Sequence, residues 1–297
     1  MDRRAYLRAV GVGGVLGVAG CAGTPGGDGD DAAAEPRTLT LASATTAYDS
    51  GLLDALLPGF EDAFGATVES LPRGTGGSLE TGRNGDCDAV LVHARPLEDE
   101  FIRDGHGINR RRLMVNDFLL VGPPGDPAGV AGMDPVPAFR TIDDAGARFL
   151  SRGDRSGTHI REQQLWTEAG VDPDGDWYSE SGQGMSNTLA IAGGMGAYTL
   201  TDRGTFLTVE PDSLEPHVTG GIDDPPTLLR NGYAVIPTNP ARHDVAYPLA
   251  MGFVGYLTGP GQATIDEFRI GGECAFRPLG TTGAPEFGQY VPSDWPE

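Results

Sequence analysis

From Thr38 onward the chain alternates short β-rich runs with stretches of helical periodicity, and this alternation constrains the fold more than any other feature. Thr38 to Ala42 reads as a strand. Leu52, Leu53, Leu56, Leu57, Phe60 and Phe64 then recur at helical spacing until Gly65 stops them. Thr67 to Leu71 is a second strand, Gly76 to Arg83 a short helix, Ala89 to Val92 a buried strand, and Pro96 to Asp104 another helix. Such a succession predicts an α/β fold with a mostly parallel sheet and right-handed crossovers. A length of 297 residues leaves room for about two domains, and no repeat of fixed period is evident.

A long strand follows around Met114 to Val121, and after Gly122-Pro123-Pro124-Gly125 the pattern restarts with its own strands and helices. Gly232 to Pro237 reads as a final strand, with closing helices at Leu249 to Leu257 and Gln262 to Phe268. A chain that leaves one α/β lobe, builds a second and returns makes a cleft between the two. The expected lobe I is 38–117 with 235–297, and lobe II is 118–234. Clefts of this kind are where small ligands bind.

The N-terminus is read as an address. Arg3-Arg4 form a twin-arginine pattern, Ala9 to Gly20 a weakly apolar run, and Val18-Ala19-Gly20-Cys21 a lipobox ending in a lipidated Cys21. The run is too short to span a bilayer, which takes about 20 apolar residues. The expectation is a signal peptide over 1–20, a flexible acidic tether over 21–36, Tat export, and lipid anchoring on the outer face of the cell membrane.

Charge excludes several functions. The formal net charge is −21, and all 21 basic residues are Arg. Without Lys there is no P-loop lysine and no Schiff-base chemistry. Nucleic acid is excluded as a partner because no basic stripe exists to meet a polyanion. Extreme acidity without Lys reads as a halophile's surface, where the Debye length shrinks to about 3 Å at 1 M salt.

Two segments share one physical design. Ser43-Ala44-Thr45-Thr46-Ala47-Tyr48-Asp49-Ser50-Gly51 leaves a strand and enters the helix that starts near Gly51. Ser151-Arg152-Gly153-Asp154-Arg155-Ser156-Gly157-Thr158-His159 enters the helix Ile160 to Ala169, which Gly170 ends. Free amides of a helix's first turn beside Ser and Thr hydroxyls make an anion site, and the helix dipole adds about half a positive charge. Arg152 adds a planar fork for two oxygens. The same hydroxyls also read as ordinary N-caps, the favoured reading for one loop alone, but two such loops, one in each expected lobe, favour the anion site. Gly74-Thr75-Gly76-Gly77-Ser78, before a further helix, is a third candidate, although it lacks the full G-x-G-x-x-G series of a dinucleotide motif.

The rival class is a hydrolase. Ser156 and His159 offer a nucleophile and base, but Gly153-Asp154-Arg155-Ser156-Gly157 is not the G-x-S-x-G elbow. The five His residues show no metal-ligand spacing, so no metal site is expected. The many Asp and Glu pairs read as solvated faces. Tyr198 follows a Gly-rich turn and reads either as a cleft residue or as core. Cys87 and Cys274 offer no CxxC, and a bridge between them stays open.

Six segments together carry a resemblance. They are Thr45 to Leu53, Gly82 to His93, Asn116-Asp117-Phe118, Ser151 to His159, Gly182-Gln183-Gly184-Met185 and Gly196 to Gly204. In this order they resemble the tungstate-binding proteins of ABC importers, over about Leu39 to Phe276. The resemblance implies a two-lobed type II periplasmic-binding-protein fold closing on an oxyanion. It further implies a binding protein and not an enzyme, a monomer without cofactor, and delivery of tungstate or molybdate to a membrane permease and its ATPase. The ligand residues it implies are Ser43, Thr45, Thr46, Thr75, Arg152, Ser156, Gly157, Thr158 and Tyr198. Ala44 replaces one hydroxyl of the family's cluster.

The ligand chemistry can also be argued directly. Tungstate carries no proton at neutral pH, so its ideal pocket holds only donors, whereas hydrogen phosphate needs an acceptor carboxylate. Asp154 either supplies that acceptor or orients Arg152. Phosphate and sulfate are therefore the nearer alternatives. Each charge-assisted hydrogen bond contributes about 1.5 to 3 kcal/mol when shielded from water.

Overall fold

The structure, a computed structural model, describes residues 37–280. The expected signal peptide, the acidic tether and Cys21 lie outside the described residues.

The first half follows the apolar periodicity closely. Strand β1 (Arg37–Ala44) runs into a short helix α1 (Thr45–Asp49) and then α2 (Leu52–Phe64). Gly65 ends α2 in the left-handed region at φ 55°, which costs a glycine least. Next come β2 (Ala66–Arg73), α3 (Thr75–Asn84), β3 (Ala89–Val92), α4 (Arg95–Arg103) and β4 (Arg111–Gly122). The middle of the chain forms α5 (Pro135–Asp144), β5 (Phe149–Ser151), α6 (Gly157–Ala169), β6 (Tyr178–Glu180) and α7 (Met185–Met195). It continues through β7 (Thr199–Asp202), α8 (Arg203–Val209), β8 (Glu215–Thr219) and β9 (Arg230–Pro237). The chain closes with α9 (Tyr247–Thr258), α10 (Gly261–Glu267) and the short strands β10 (Arg269–Ile270), β11 (Glu273–Cys274) and β12 (Arg277–Pro278).

Three expectations change. The segment after β1 is not a loop leading to Gly51, because Thr45 to Asp49 closes its own helical turn first. Gly232 to Pro237 is not the final strand, since β10, β11 and β12 follow it. The main sheet is mixed rather than mostly parallel. Strand β1 pairs in parallel with β2 and β3, but β9 lies antiparallel to β3 and β4, as do β7 and β8 to β4. The cause is β9, which returns from the middle of the chain and enters between β3 and β4 in the opposite direction.

Strand β4 serves two neighbourhoods. Its first part pairs with β9 as far as Asp117 opposite Arg230, and its second part pairs with β7 from Phe118 opposite Asp202. Beyond that switch its side chains alternate between faces, as a strand's must. Phe118 and Leu120 join a core with Phe139, Phe149 and Trp166, while Leu119 and Val121 join one with Leu189 and Leu214. A separate core gathers β1, α2 and α9 around Leu41, Phe60 and Phe253. Cys87 is buried in a fourth cluster and Cys274 lies on β11; both are free thiols. Burial pushes the Cys87 thiol up to about 11. Among the described residues no helix is long and apolar enough to cross a membrane.

Candidate functional site

The C-terminal ends of β1 and β2 lie side by side, with Ser43 opposite Pro72 and Ala44 opposite Arg73. On the other flank Ser43 faces Leu91 of β3, two residues before His93. Thr75 and Ser78 then follow on the first turn of α3. The crevice beyond such strand ends is where open α/β sheets hold ligands.

Four polar atoms here are buried without a hydrogen-bond partner: Ser43 Oγ, Thr75 Oγ1, Ser78 Oγ and Arg152 Nε. Burying a hydroxyl unpaired costs about 1 to 3 kcal/mol, so several together need a reason. Their chemistry fits an oxyanion, since each can donate. Ser78 was not among the expected ligand residues, although the Gly74 to Ser78 segment had drawn attention.

The second expected loop meets the Gly74–Ser78 segment. A side chain at Gly76 would lie 3.6 Å from the Arg155 carbonyl, so the start of α3 abuts the 151–157 segment. Arg152 is 6% exposed, and its Nη2 donates to Asp154 Oδ2 at 2.5 Å. Asp154 Oδ1 accepts from the Ser156 amide at 3.1 Å. Both carboxylate oxygens are thus engaged, and Asp154 orients Arg152 from outside.

Ser156 caps α6 by accepting from the His159 amide at 3.2 Å, so its hydroxyl performs the ordinary capping role. Gly157 presses on the His93 ring: a Cβ there would stand 2.6 Å from Cε1. Thr158 is buried beside it.

A third segment joins them. The Gly182 amide donates to the Arg152 carbonyl at 2.9 Å, which brings the start of α7 alongside. Helix α7 opens at Gly184 and α3 at Gly74, and neither has a side-chain cap. Thr45, Gly184, Met185, Ser186, Asn187 and Thr205 line a cavity of about 210 Å³. A wider opening of about 730 Å³ separates α3 from α6, lined by Gly76, Gly77, Arg83, Asp154, Arg155 and Ile160. The unpartnered donors line neither opening; they are buried.

Two expected residues stand apart. Thr46 has its hydroxyl 3.0 Å from Asp202 Oδ2, to which it donates, and 3.3 Å from Thr205 Oγ1. The Tyr198 ring packs in the Phe139–Trp166 core, and its hydroxyl donates to Asp126 Oδ1 at 2.6 Å while accepting from the Ala128 amide at 2.9 Å. Of the two readings for Tyr198, the structure has the core one.

Sequence reasoning also passed over a buried polar network. Asp202 Oδ1 accepts from the Thr205 amide at 3.0 Å and from Asn116 Nδ2 at 3.4 Å. Asn116 in turn accepts from Asn231, which bonds His93. Asn116 and Asp202 lie within segments that carry the family resemblance, and polar residues inside apolar strands were the available signal. Among the described residues no group of three or more His, Cys, Asp or Glu side chains could hold a metal ion.

Strand ends and helix starts from separate cores abut here, with buried unpartnered donors on both segments, as in a solute-binding protein. The chain belongs to the PBP superfamily, whose domain profile matches residues 31–260. It is a binding protein and not an enzyme. It is 50% identical to a Haloferax volcanii protein provisionally named an ABC transporter anion-binding protein, over 99% of this chain and 91% of that one. It is 42% identical to the tungstate-binding protein TupA of Peptoclostridium acidaminophilum, over 70% of this chain and 72% of the relative. The crystal structure of the tungstate ABC transporter from Geobacter sulfurreducens superposes with a TM-score of 0.71 at 43% identity, over 78% of this chain and 98% of that chain.

Proposed function

We propose that this chain is the extracytoplasmic solute-binding protein of an ABC importer, capturing tungstate and handing it to a membrane permease. Molybdate is the close competitor, because the two tetrahedral dianions differ little in size. The observation that carries this reading is the set of buried, unpartnered donors Ser43, Thr75, Ser78 and Arg152. Asp154 directs one oxygen at Arg152 and the other at the Ser156 amide, the arrangement of a carboxylate that orients the arginine and not of one aimed at a ligand proton, which disfavours hydrogen phosphate. Relatives named as tungstate-binding proteins support the same ligand.

In this reading Ser43, Thr45, Thr75, Ser78 and Arg152 contact the anion together with the first turn of α6 at Gly157 and Thr158. Ser156 and Thr46 shape the loops that present them. The core clusters on either side of the Asp117–Phe118 switch are the two lobes. Lipidation at Cys21 after Tat export would tether the protein to the outer membrane face, and the acidity would suit molar salt.

Calorimetry with tungstate, molybdate, sulfate and phosphate in molar salt tests the assignment. Tungstate and molybdate are expected to bind far more tightly than phosphate. Tight phosphate binding with none of tungstate overturns it.

A further inference from the structure

We infer that His93 is the proton-accepting residue of the anion site, taking up a proton at Nε2 when a tetrahedral dianion binds. This rests on the oxyanion reading and adds a linkage that the reading does not require.

Position comes first. His93 follows the strand that pairs with Ser43, and its ring stacks on Tyr233 with centroids 4.8 Å apart and an interplanar angle of 18°. Gly157, the first residue of α6, lies against the same ring. The imidazole therefore sits between the strand ends and the helix start that the anion is proposed to touch. It is only partly buried.

Hydrogen-bond logic then fixes its tautomer. Asp202 accepts from Thr46 Oγ1, Thr205 Oγ1, the Thr205 amide and Asn116 Nδ2, which is the behaviour of an ionised carboxylate. Asn116, having spent its amino group there, presents Oδ1 to Asn231 Nδ2 at 2.7 Å. Asn231 accordingly presents its own Oδ1 to His93 Nδ1 at 2.8 Å. His93 Nδ1 must carry the hydrogen, and the neutral ring keeps a lone pair on Nε2.

The surrounding charges complete the argument. Arg152, in the loop after β5, and Arg161, on α6, both disfavour a cationic ring, and burial disfavours it most. Asp202 on β7 and the bond to Asn231 on β9 act the other way but do not prevail, so the ring stays below the usual histidine range. Tyr233, also on β9, is held neutral by burial. A dianion on Arg152 reverses the local field. With bound ligand the imidazolium is favoured, and Nε2 becomes one more donor. Affinity is then greatest at low pH and falls as pH rises through the ligand-bound value, by up to about tenfold per pH unit.

The test is calorimetric titration of the whole protein with tungstate, in buffers of different ionisation enthalpy between about pH 6 and 8. It is paired with nitrogen NMR of the histidine side chains with and without ligand. Proton uptake and a shift of the His93 Nε2 signal to its protonated position are expected. His93→Asn, which keeps an amide donor for Asn231 and lacks Nε2, should bind more weakly, with the uptake abolished. Should that variant fail to fold, the wild-type ring signal decides. Buffer-independent heat with an unmoved Nε2 signal overturns the inference while leaving tungstate binding intact. Uptake that persists in His93→Asn assigns the proton elsewhere, for instance to His159, and also overturns it. Absence of heat with every oxyanion overturns the ligand reading together with this one.

Discussion

The Thr46 hydroxyl donates to Asp202 Oδ2 at 3.0 Å, joining residues 156 positions apart. That bond ties α1, which follows the Ser43 strand, to the junction of β7 and α8. Asp202 is 1% exposed and also takes the Thr205 hydroxyl at 2.7 Å and its amide at 3.0 Å. The carboxylate therefore acts as a rivet rather than as a ligand contact.

Asp202→Ala should destabilise the protein by about 3 kcal/mol, because it strands several buried donors. Asp202→Asn keeps an acceptor and should cost less. Denaturant unfolding measures both, and equal losses would show that the hydrogen bonds are not what the residue supplies.

Arg152→Ala should weaken oxyanion binding at least tenfold with the protein still folded, since Nε has no protein partner and Asp154, which loses its Nη2 bond, is partly exposed and keeps the Ser156 amide. Arg152→Lys should not restore it, because an ammonium lacks the planar fork. Calorimetry beside a melting curve separates affinity from stability; unchanged affinity would make the arginine structural.

Ser43→Ala removes a buried hydroxyl that has no partner. Stability without ligand should hold or rise by up to about 1 kcal/mol, while tungstate affinity falls severalfold. Loss of stability with unchanged affinity would contradict the assignment.

Glu162 tests the energetics of the α6 scaffold. Burial pushes its carboxyl up to about 7, against donors at Tyr178 Oη 2.9 Å and Trp166 Nε1 3.3 Å away. The folded state therefore holds a proton that the unfolded state releases near 4.5. Stability should fall as pH rises from about 4.5 to 7, by up to about 3 kcal/mol. Glu162→Gln should flatten that slope in urea melts. An unchanged slope would place the titration elsewhere.

What could be read in advance followed local physics. The apolar ladder from Leu52 to Phe64 and its Gly65 stop marked α2, and Gly170 marked the end of α6. Ser43, Thr75 and Arg152 could be singled out as candidates because hydroxyls and an Arg beside a helix start suit an anion, and their polar atoms are buried without partners. Thr45 to Asp49 escaped, since five residues carry too little periodicity to signal a helix. Thr46 and Tyr198 escaped for another reason. Their hydroxyls are taken by Asp202 and Asp126, partners distant in sequence, and only the assembled fold brings those residues together. The insertion of β9 between β3 and β4 is likewise a long-range event, which is why the sheet looked more parallel than it is.

Calorimetric titration of the wild-type protein with tungstate, with hydrogen phosphate as competitor, bears most directly on a pocket built on the unpartnered donors Ser43, Thr75, Ser78 and Arg152. Saturable tungstate binding that excess phosphate leaves unmoved is the expected result. Displacement of tungstate by phosphate at comparable concentration would contradict it, since Asp154 is directed at Arg152 and the Ser156 amide and no carboxylate is aimed at the proton that hydrogen phosphate brings.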